Sequence, residues 1–295
     1  MKALVTGGAG FIGSNLVDRL LKLDYSVIVI DNESAVGHKN FYWNPLAKNY
    51  KLNASNYDLT RHLYDNVDWV FNVAGTARMQ QSINDPTGVI KNNVNSVATV
   101  LQCSMEANVK KVIHSSTSSA YGDLTAGEDE GAAKDCLNTY SLSKAFGEDL
   151  LKVYSDLYGL NGYSVRYFNV YGPREPTEGP HATVVGKFLK QAQNSEPLTI
   201  VGDGSQTRNF THVKDVVEAN IALANLKDTT YSGELFNVAG RDNVSIQELA
   251  DAISVNQTYL PARFGEHKYS KAVIDKIVSV TGWEPKHELF EWANV

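Results

Sequence analysis

Along the first half of the chain, short apolar runs alternate with stretches of helical periodicity. Residues 2–6 (Lys-Ala-Leu-Val-Thr) and 26–30 (Ser-Val-Ile-Val-Ile) read as buried strands, and further strands are expected at 68–74, 111–116 and 163–168. Between them, Phe11, Ile12, Leu16, Leu20 and Leu23 recur at helical spacing over 11–23, and helices are expected near 86–107 and 139–159. Strands alternating with helices predict an α/β architecture with a parallel sheet and crossover helices. β-branched runs such as 26–30 suit strands covered on both faces. Beyond about residue 170 the pattern loosens. Pro173, Pro176 and Pro180 mark loops. Helices are expected at 183–193, 213–226, 245–254 and 270–280, and short strands at 198–201 and 234–239. Residues 32–49, with Gly37, Trp43 and Pro45, read as loop. No repeat or flexible linker interrupts the chain, so a second lobe should pack directly on the first.

Length and charge narrow the classes. At 295 residues the chain fits one large α/β domain or two closely packed lobes. A net charge of −6 and no Lys/Arg-rich run argue against a nucleic-acid partner, while local arginines leave an anionic substrate open. Cys103 and Cys136 form no metal-ligand spacing and suit a reducing compartment. No apolar run reaches membrane-spanning length, and the N-terminus lacks a signal-peptide plan. The expectation is a cytoplasmic protein with no metal site and no membrane partner.

Two local patterns carry chemistry. Residues 6–13 read Thr-Gly-Gly-Ala-Gly-Phe-Ile-Gly, with Gly7, Gly10 and Gly13 three apart between a strand and a helix. Glycines there allow a tight turn and close approach of a pyrophosphate to a helix N-terminus. The spacing differs from the usual G-x-G-x-x-G. Asp31 ends the next strand, 18 residues after Gly13, where a carboxylate would accept bonds from ribose hydroxyls and repel a 2′-phosphate. That favours NAD over NADP; the plainer reading of Asp31 is a strand-end turn residue. Tyr140 and Lys144 lie four apart on the expected helix, hence on one face. An ammonium beside a phenol lowers the phenol pKa from about 10, and a phenol so tuned can move a proton at a sugar hydroxyl. By itself the pair could be an ordinary surface helix.

With these motifs stand Ser115-Ser116-Thr117-Ser118-Ser119-Ala120-Tyr121-Gly122, Arg166-Tyr167-Phe168-Asn169-Val170-Tyr171-Gly172-Pro173-Arg174, and Gly202-Asp203-Gly204-Ser205-Gln206-Thr207-Arg208-Asn209-Phe210. In this order, over almost the whole chain, they resemble the extended short-chain dehydrogenase/reductases that act on nucleotide sugars, the UDP-glucose 4-epimerase group above all. The resemblance implies a Rossmann-type doubly wound parallel sheet over 1–168. It implies a smaller mixed α/β nucleotide-sugar lobe over 169–295, with some chain exchange between them. It implies Tyr140 as acid/base, Lys144 on the nicotinamide ribose, and Thr117 on the reacting sugar oxygen, although Ser116 and Ser118 are its neighbours. It implies NAD contacts from Gly7, Gly10, Phe11, Ile12, Gly13, Asp31, Asn32, Asn53, Ala54, Ala74, Asn93, Ser115 and Tyr167. Asn169, Arg208 and Arg263 would face the substrate diphosphate. The plainer reading of either arginine is a surface ion pair. Ser270 would set the room at sugar C2, admitting UDP-GlcNAc/GalNAc besides UDP-glucose/galactose. A homodimer through a four-helix bundle, built from the helices near 86–107 and 139–159, is also implied.

The same resemblance narrows the reaction. Dehydratase relatives carry Asp and Glu after the Thr, where this chain has Ser118 and Ser119. Decarboxylating members carry a Glu in this stretch. What remains is C4 oxidation followed by return of the hydride to the other face, which is 4-epimerisation through a transient 4-keto sugar. Other C4-oxidising enzymes (dehydratase, reductase, uronic-acid epimerase) and a non-catalytic NAD-binding regulator stand as alternatives. Departures are Asn72 and Gly75 in place of His and Ala, Asn53-Ala54 in place of Asp-Ile, and a short C-terminal lobe.

Overall fold

The computed structural model describes residues 1–35, 40–77, 79–123, 129–179, 182–262 and 269–293. Its first part runs β1 (Lys2–Thr6), α1 (Phe11–Lys22), β2 (Ser26–Asp31), β3 (Lys48–Lys51), α2 (Tyr57–Thr60), β4 (Trp69–Asn72), α3 (Met79–Asn84), α4 (Pro86–Glu106), β5 (Lys111–Thr117), α5 (Thr139–Tyr158) and β6 (Gly162–Tyr167). There follow β7 (Val170–Tyr171), α6 (Val184–Gln193), β8 (Leu198–Val201), β9 (Thr207–Asn209), β10 (Thr211–His212), α7 (Val213–Asn225) and β11 (Leu235–Val238). The last elements are β12 (Asn243–Ser245), α8 (Ile246–Ile253), β13 (Gln257–Leu260), α9 (Asp275–Thr281) and α10 (Leu289–Trp292).

Seven strands form one sheet in the order β11-β6-β5-β4-β1-β2-β3, and every neighbouring pair is parallel. The chain starts at β1, moves outward through β2 and β3, then returns to β4 on the other side of β1. Connections therefore leave the sheet in opposite directions between β1 and β4, which opens a crevice at their carboxyl ends. Both faces are apolar. One packs Leu16, Val17 and Leu20 of α1 with Val216 and Leu223 of α7 over Val5, Val29 and Phe71. The other packs Val97, Val100 and Leu101 of α4 and Leu151 of α5 over Leu4, Ile28, Val70 and Val112. A separate core around Phe188, Ile200, Phe210 and Leu249 holds the second lobe.

Two helices that carry site residues start at defined caps. Asp85 accepts Gly88 N at 2.9 Å, with Pro86 following it at the start of α4. Asn138 and Ser141 form a reciprocal capping box on α5, which ends at left-handed Gly159.

The structure departs from the sequence pattern at β3 and at the start of α9. The loop expected over 32–49 ends early, because residues 48–51 form β3, a sheet edge paired to β2 from Ile28↔Lys48 to Asp31↔Lys51. Its side chains are polar and mostly exposed, so backbone pairing holds it and hydropathy carries no sign of it. The helix expected from 270 begins at Asp275, because the chain before it is extended and donates Ala272 N to Asn209 Oδ1 at 2.9 Å. α7 and β11, from beyond residue 168, return to the large sheet, β11 pairing with β6 from Leu235↔Ser164 to Val238↔Tyr167.

Candidate active site

A cavity of roughly 490 Å³ opens along the carboxyl ends of the strands, from the Gly7 loop to Arg208 and Phe210 of the second lobe. At the first end, Gly7 has φ +68°, and a Cβ there would lie 2.8 Å from the Ala74 backbone. Gly13 is tighter still, since its Cβ would stand 2.1 Å from Gly7 O. Only glycine lets α1 start this close to the turn. Gly10 caps α1 without a side-chain bond, so the first amides of the helix have no capping side chain, and Phe11, Ile12 and Gly13 line the cavity. Asp31 ends β2 beside them; its carboxylate accepts Ala9 N at 3.1 Å and Glu33 N at 2.7 Å. Phe11, Ile12, Asn32, Asn53, Ala54 and Ala74 also line the cavity. The carboxamide oxygens of Asn32 and Asn53 are held in local turns by Ser34 and Ser55.

This end fits a dinucleotide. A ring of backbone N–H groups at a helix start suits a pyrophosphate, and the Asp31 carboxylate suits ribose hydroxyls.

In the middle, Thr117 ends β5, and its Oγ1 accepts Ser119 N at 3.2 Å. Tyr140, in the first turn of α5, lines the same wall with Ser116, Ser118 and Ser119. Lys144 lies one turn deeper and is buried. A Cβ on Gly75 would lie 3.4 Å from Lys144 Nζ and 3.3 Å from Asn93 Oδ1, so the ammonium sits against this loop. Burial brings the Lys144 pKa down to about 8, and the Glu148 carboxylate opposes the shift. Asn93 does not line the cavity. It braces the loop instead, accepting Thr76 N at 2.7 Å and donating to Thr76 O at 3.1 Å and Ser143 Oγ at 2.9 Å.

Alternation along β5 separates its serines. The Ser115 hydroxyl meets Tyr167 OH at 3.0 Å, and Tyr167 OH donates to Asn220 Oδ1 at 2.8 Å. Tyr167 lines the cavity, and neither Ser115 nor Lys144 is among the lining residues. Ser116 points to the opposite face, where its Oγ donates to Glu148 Oε1 at 2.5 Å.

At the far end Asn169 adopts φ +37° and donates Nδ2 to Asn209 O at 3.0 Å. Arg208, largely buried, donates Nη1 to Thr207 O at 2.7 Å, and both residues line the cavity. Ser270 is buried, with its carbonyl bonded to Asn243 Nδ2, and is not among the lining residues. Arg263 lies outside the described residues.

Asn72 and Glu148 were not assigned from the sequence as parts of this site. Asn72 accepts Thr6 Oγ1 at 2.7 Å and stands 3.1 Å from His114 Nδ1, joining three strands in one buried row. Glu148 recurs four residues after Lys144, a signal that was open to reading.

The chain matches the NAD dependent epimerase/dehydratase family over residues 3–239. A UDP-N-acetyl-alpha-D-glucosaminuronate decarboxylase of Bacillus cytotoxicus is 36% identical over 261 residues, covering 85% of this chain and 79% of the relative. The UDP-glucose 4-epimerase of Thermotoga maritima, solved with UDP-glucose, superposes with a TM-score of 0.92 at 32% identity, covering 99% of this chain and 96% of that one. The UDP-N-acetylglucosamine 4-epimerase of Methanobrevibacter ruminantium, solved with UDP-N-acetylmuramic acid, gives 0.91 at 31% identity, with 99% and 95% covered.

Proposed function

Because the chain belongs to the NAD dependent epimerase/dehydratase family, we propose that it is an isomerase, an NAD-dependent 4-epimerase of nucleotide sugars with UDP-sugars as the favoured class. The observation that carries this reading is the chemistry of the cavity wall beyond Thr117. Ser118 and Ser119 stand there, and among the described lining residues the only carboxylate is Asp31, at the opposite end. Elimination across C5–C6 needs an acid and a base beside the sugar, and a serine hydroxyl is neither near neutral pH without a helper. A wall with one proton-transfer group suits removal and return of hydrogen at a single carbon.

NAD, when bound, supplies a hydride acceptor and donor at C4 of the sugar. Gly7, Gly10, Gly13 and Asp31 are the residues that would hold it, with Lys144 toward the nicotinamide ribose and Asn93 bracing the loop beside Lys144. Tyr140 takes the C4 hydroxyl proton, directly or through Thr117, and gives it back from the other side after the sugar has turned. Lys144 as an ammonium lowers the proton affinity of that phenol. Asn169 and Arg208 hold the diphosphate while the sugar swings, with Arg263 as the further substrate residue of this proposal. The second lobe, 169–295 apart from the α7–β11 return, is the nucleotide-sugar lobe; 1–168 holds NAD.

The protein works as a homodimer. Leu142, Phe146, Val153 and Leu157 are exposed on one stripe of α5, beside α4, as a four-helix bundle between two subunits requires. The free thiols Cys103 and Cys136 fit the cytoplasm.

The test is incubation with UDP-, GDP- and dTDP-sugars, including uronic and N-acetylated forms, followed by NMR of the C4 configuration and mass spectrometry. Inversion at unchanged mass, abolished by Tyr140→Phe, is expected. Loss of water or carbon dioxide, or wild-type turnover by Tyr140→Phe, refutes the reading.

A further inference from the structure

Beneath the Tyr140–Lys144 turn lies a buried ion pair that the proposed reaction does not use. Glu148 follows Lys144 by one turn of α5, on the same helix face. Its Oε1 accepts Arg166 Nε at 2.7 Å and Ser116 Oγ at 2.5 Å, and its Oε2 accepts Arg166 Nη2 at 2.7 Å. The side chains are 5% and 1% exposed. Lys134 Nζ stands 3.3 Å from Oε2, and the Arg166 guanidinium lies 4.2 Å from the Tyr121 ring centroid. The fork is bidentate and fixes the carboxylate in one orientation. A buried pair of this kind adds little net stability over an apolar pair of equal size. Its effect on neighbouring charge is larger, because little solvent screens it.

The neighbour that feels it is Lys144. Around that ammonium, α4 contributes uncharged Asn93 and the β4 loop contributes Gly75. β5 contributes His114, kept neutral by burial and by the Lys144 charge itself. On α5, Tyr140 lies one turn before it and Glu148 one turn after. The cations of β6 and of the loop before α5, Arg166 and Lys134, are bound to Glu148. Among the described groups, Glu148 is the carboxylate that favours the charged form of Lys144 against burial. Ser116, which lines the cavity next to Thr117, ties the same carboxylate to the cavity wall.

We propose that Glu148 is a positioning residue of the reaction: locked by Arg166 and Ser116, it keeps Lys144 an ammonium at the working pH. This rests on the reading above, in which the charged amine is the form that lowers the proton affinity of Tyr140. Activity then falls as pH rises through the Lys144 titration, and loss of the carboxylate moves that fall to lower pH.

The experiment records pH profiles of kcat and kcat/KM together with thermal melting. It follows the Lys144 titration by 13C NMR of lysine-labelled protein, the resonance being assigned with Lys144→Met. The variants are Glu148→Gln, Glu148→Asp and Glu148→Gln/Arg166→Met. In Glu148→Gln, the resonance and the basic limb should both move down by about one pH unit or more. Glu148→Asp, which keeps the charge, should restore both toward wild type. The double variant, which leaves no unpaired guanidinium, should regain melting temperature yet keep the shifted limb. If the single variant folds poorly, the double variant carries the comparison. A limb and resonance unmoved in Glu148→Gln, or a double variant that recovers limb and melting together, overturns the proposal. Full turnover by Lys144→Met overturns the Tyr140–Lys144 reading as well, which separates the two failures.

Discussion

Replacing Lys144 by Met should abolish turnover and at the same time stabilise the fold near neutral pH. Lys144 is 6% exposed, and burial lowers its pKa from 10.5 to about 8 despite the Glu148 carboxylate. At about 1.4 kcal/mol per pH unit, holding that charge inside the folded chain costs roughly 3 kcal/mol. Methionine keeps the hydrocarbon stem packed and removes the charge. Between pH 8 and 10.5 the unfolded chain holds the proton and the folded chain does not, so wild-type stability rises with pH across that window. Below it both states are charged and the whole cost is present. Above it both are neutral and the cost vanishes. Urea unfolding of both proteins, stripped of nucleotide, should therefore show the variant more stable at pH 7 by a few kcal/mol, with the gap closing toward pH 10.5. A variant less stable at pH 7, or a gap constant with pH, refutes the reasoning.

Gly13→Ala should prevent NAD retention, because the new Cβ would stand 2.1 Å from Gly7 O and push α1 off the loop; absorbance of the purified protein at the nucleotide band measures it. Arg208→Ala should weaken UDP-sugar binding about 10- to 100-fold, as expected for loss of a charged hydrogen-bond donor worth about 1.5–3 kcal/mol, with NAD content unchanged; calorimetric titration reads it. Phe146→Glu, on the exposed stripe of α5, should convert a dimer to monomers in light scattering.

The legibility of the site followed the kind of interaction involved. Gly7, Gly13 and Asp31 were readable because a tight turn, a close helix start and a strand-end carboxylate need particular residue types at fixed local spacing. Tyr140 and Lys144 were readable because both lie on one helix. The row Thr6–Asn72–His114 was not, since its members come from three strands and meet only through sheet register. Ser115 and Ser116 look equivalent in sequence; strand alternation sends one to Tyr167 and the other to Glu148. Strand β3 escaped notice because an edge strand is held by backbone bonds that side-chain hydropathy does not report.

Sequence by itself determined the α/β alternation and the tight glycine turn before α1, since each depends on contacts within a few residues along the chain. Tertiary structure alone decided which elements beyond residue 168 return to the large sheet, that Ser270 is buried and off the cavity lining, and that Glu148 of α5 pairs with Arg166 of β6. Those outcomes depend on which strands pair and on how deeply a charge is buried. Burial is a property of the packed whole, and it is burial that makes one carboxylate matter to one ammonium.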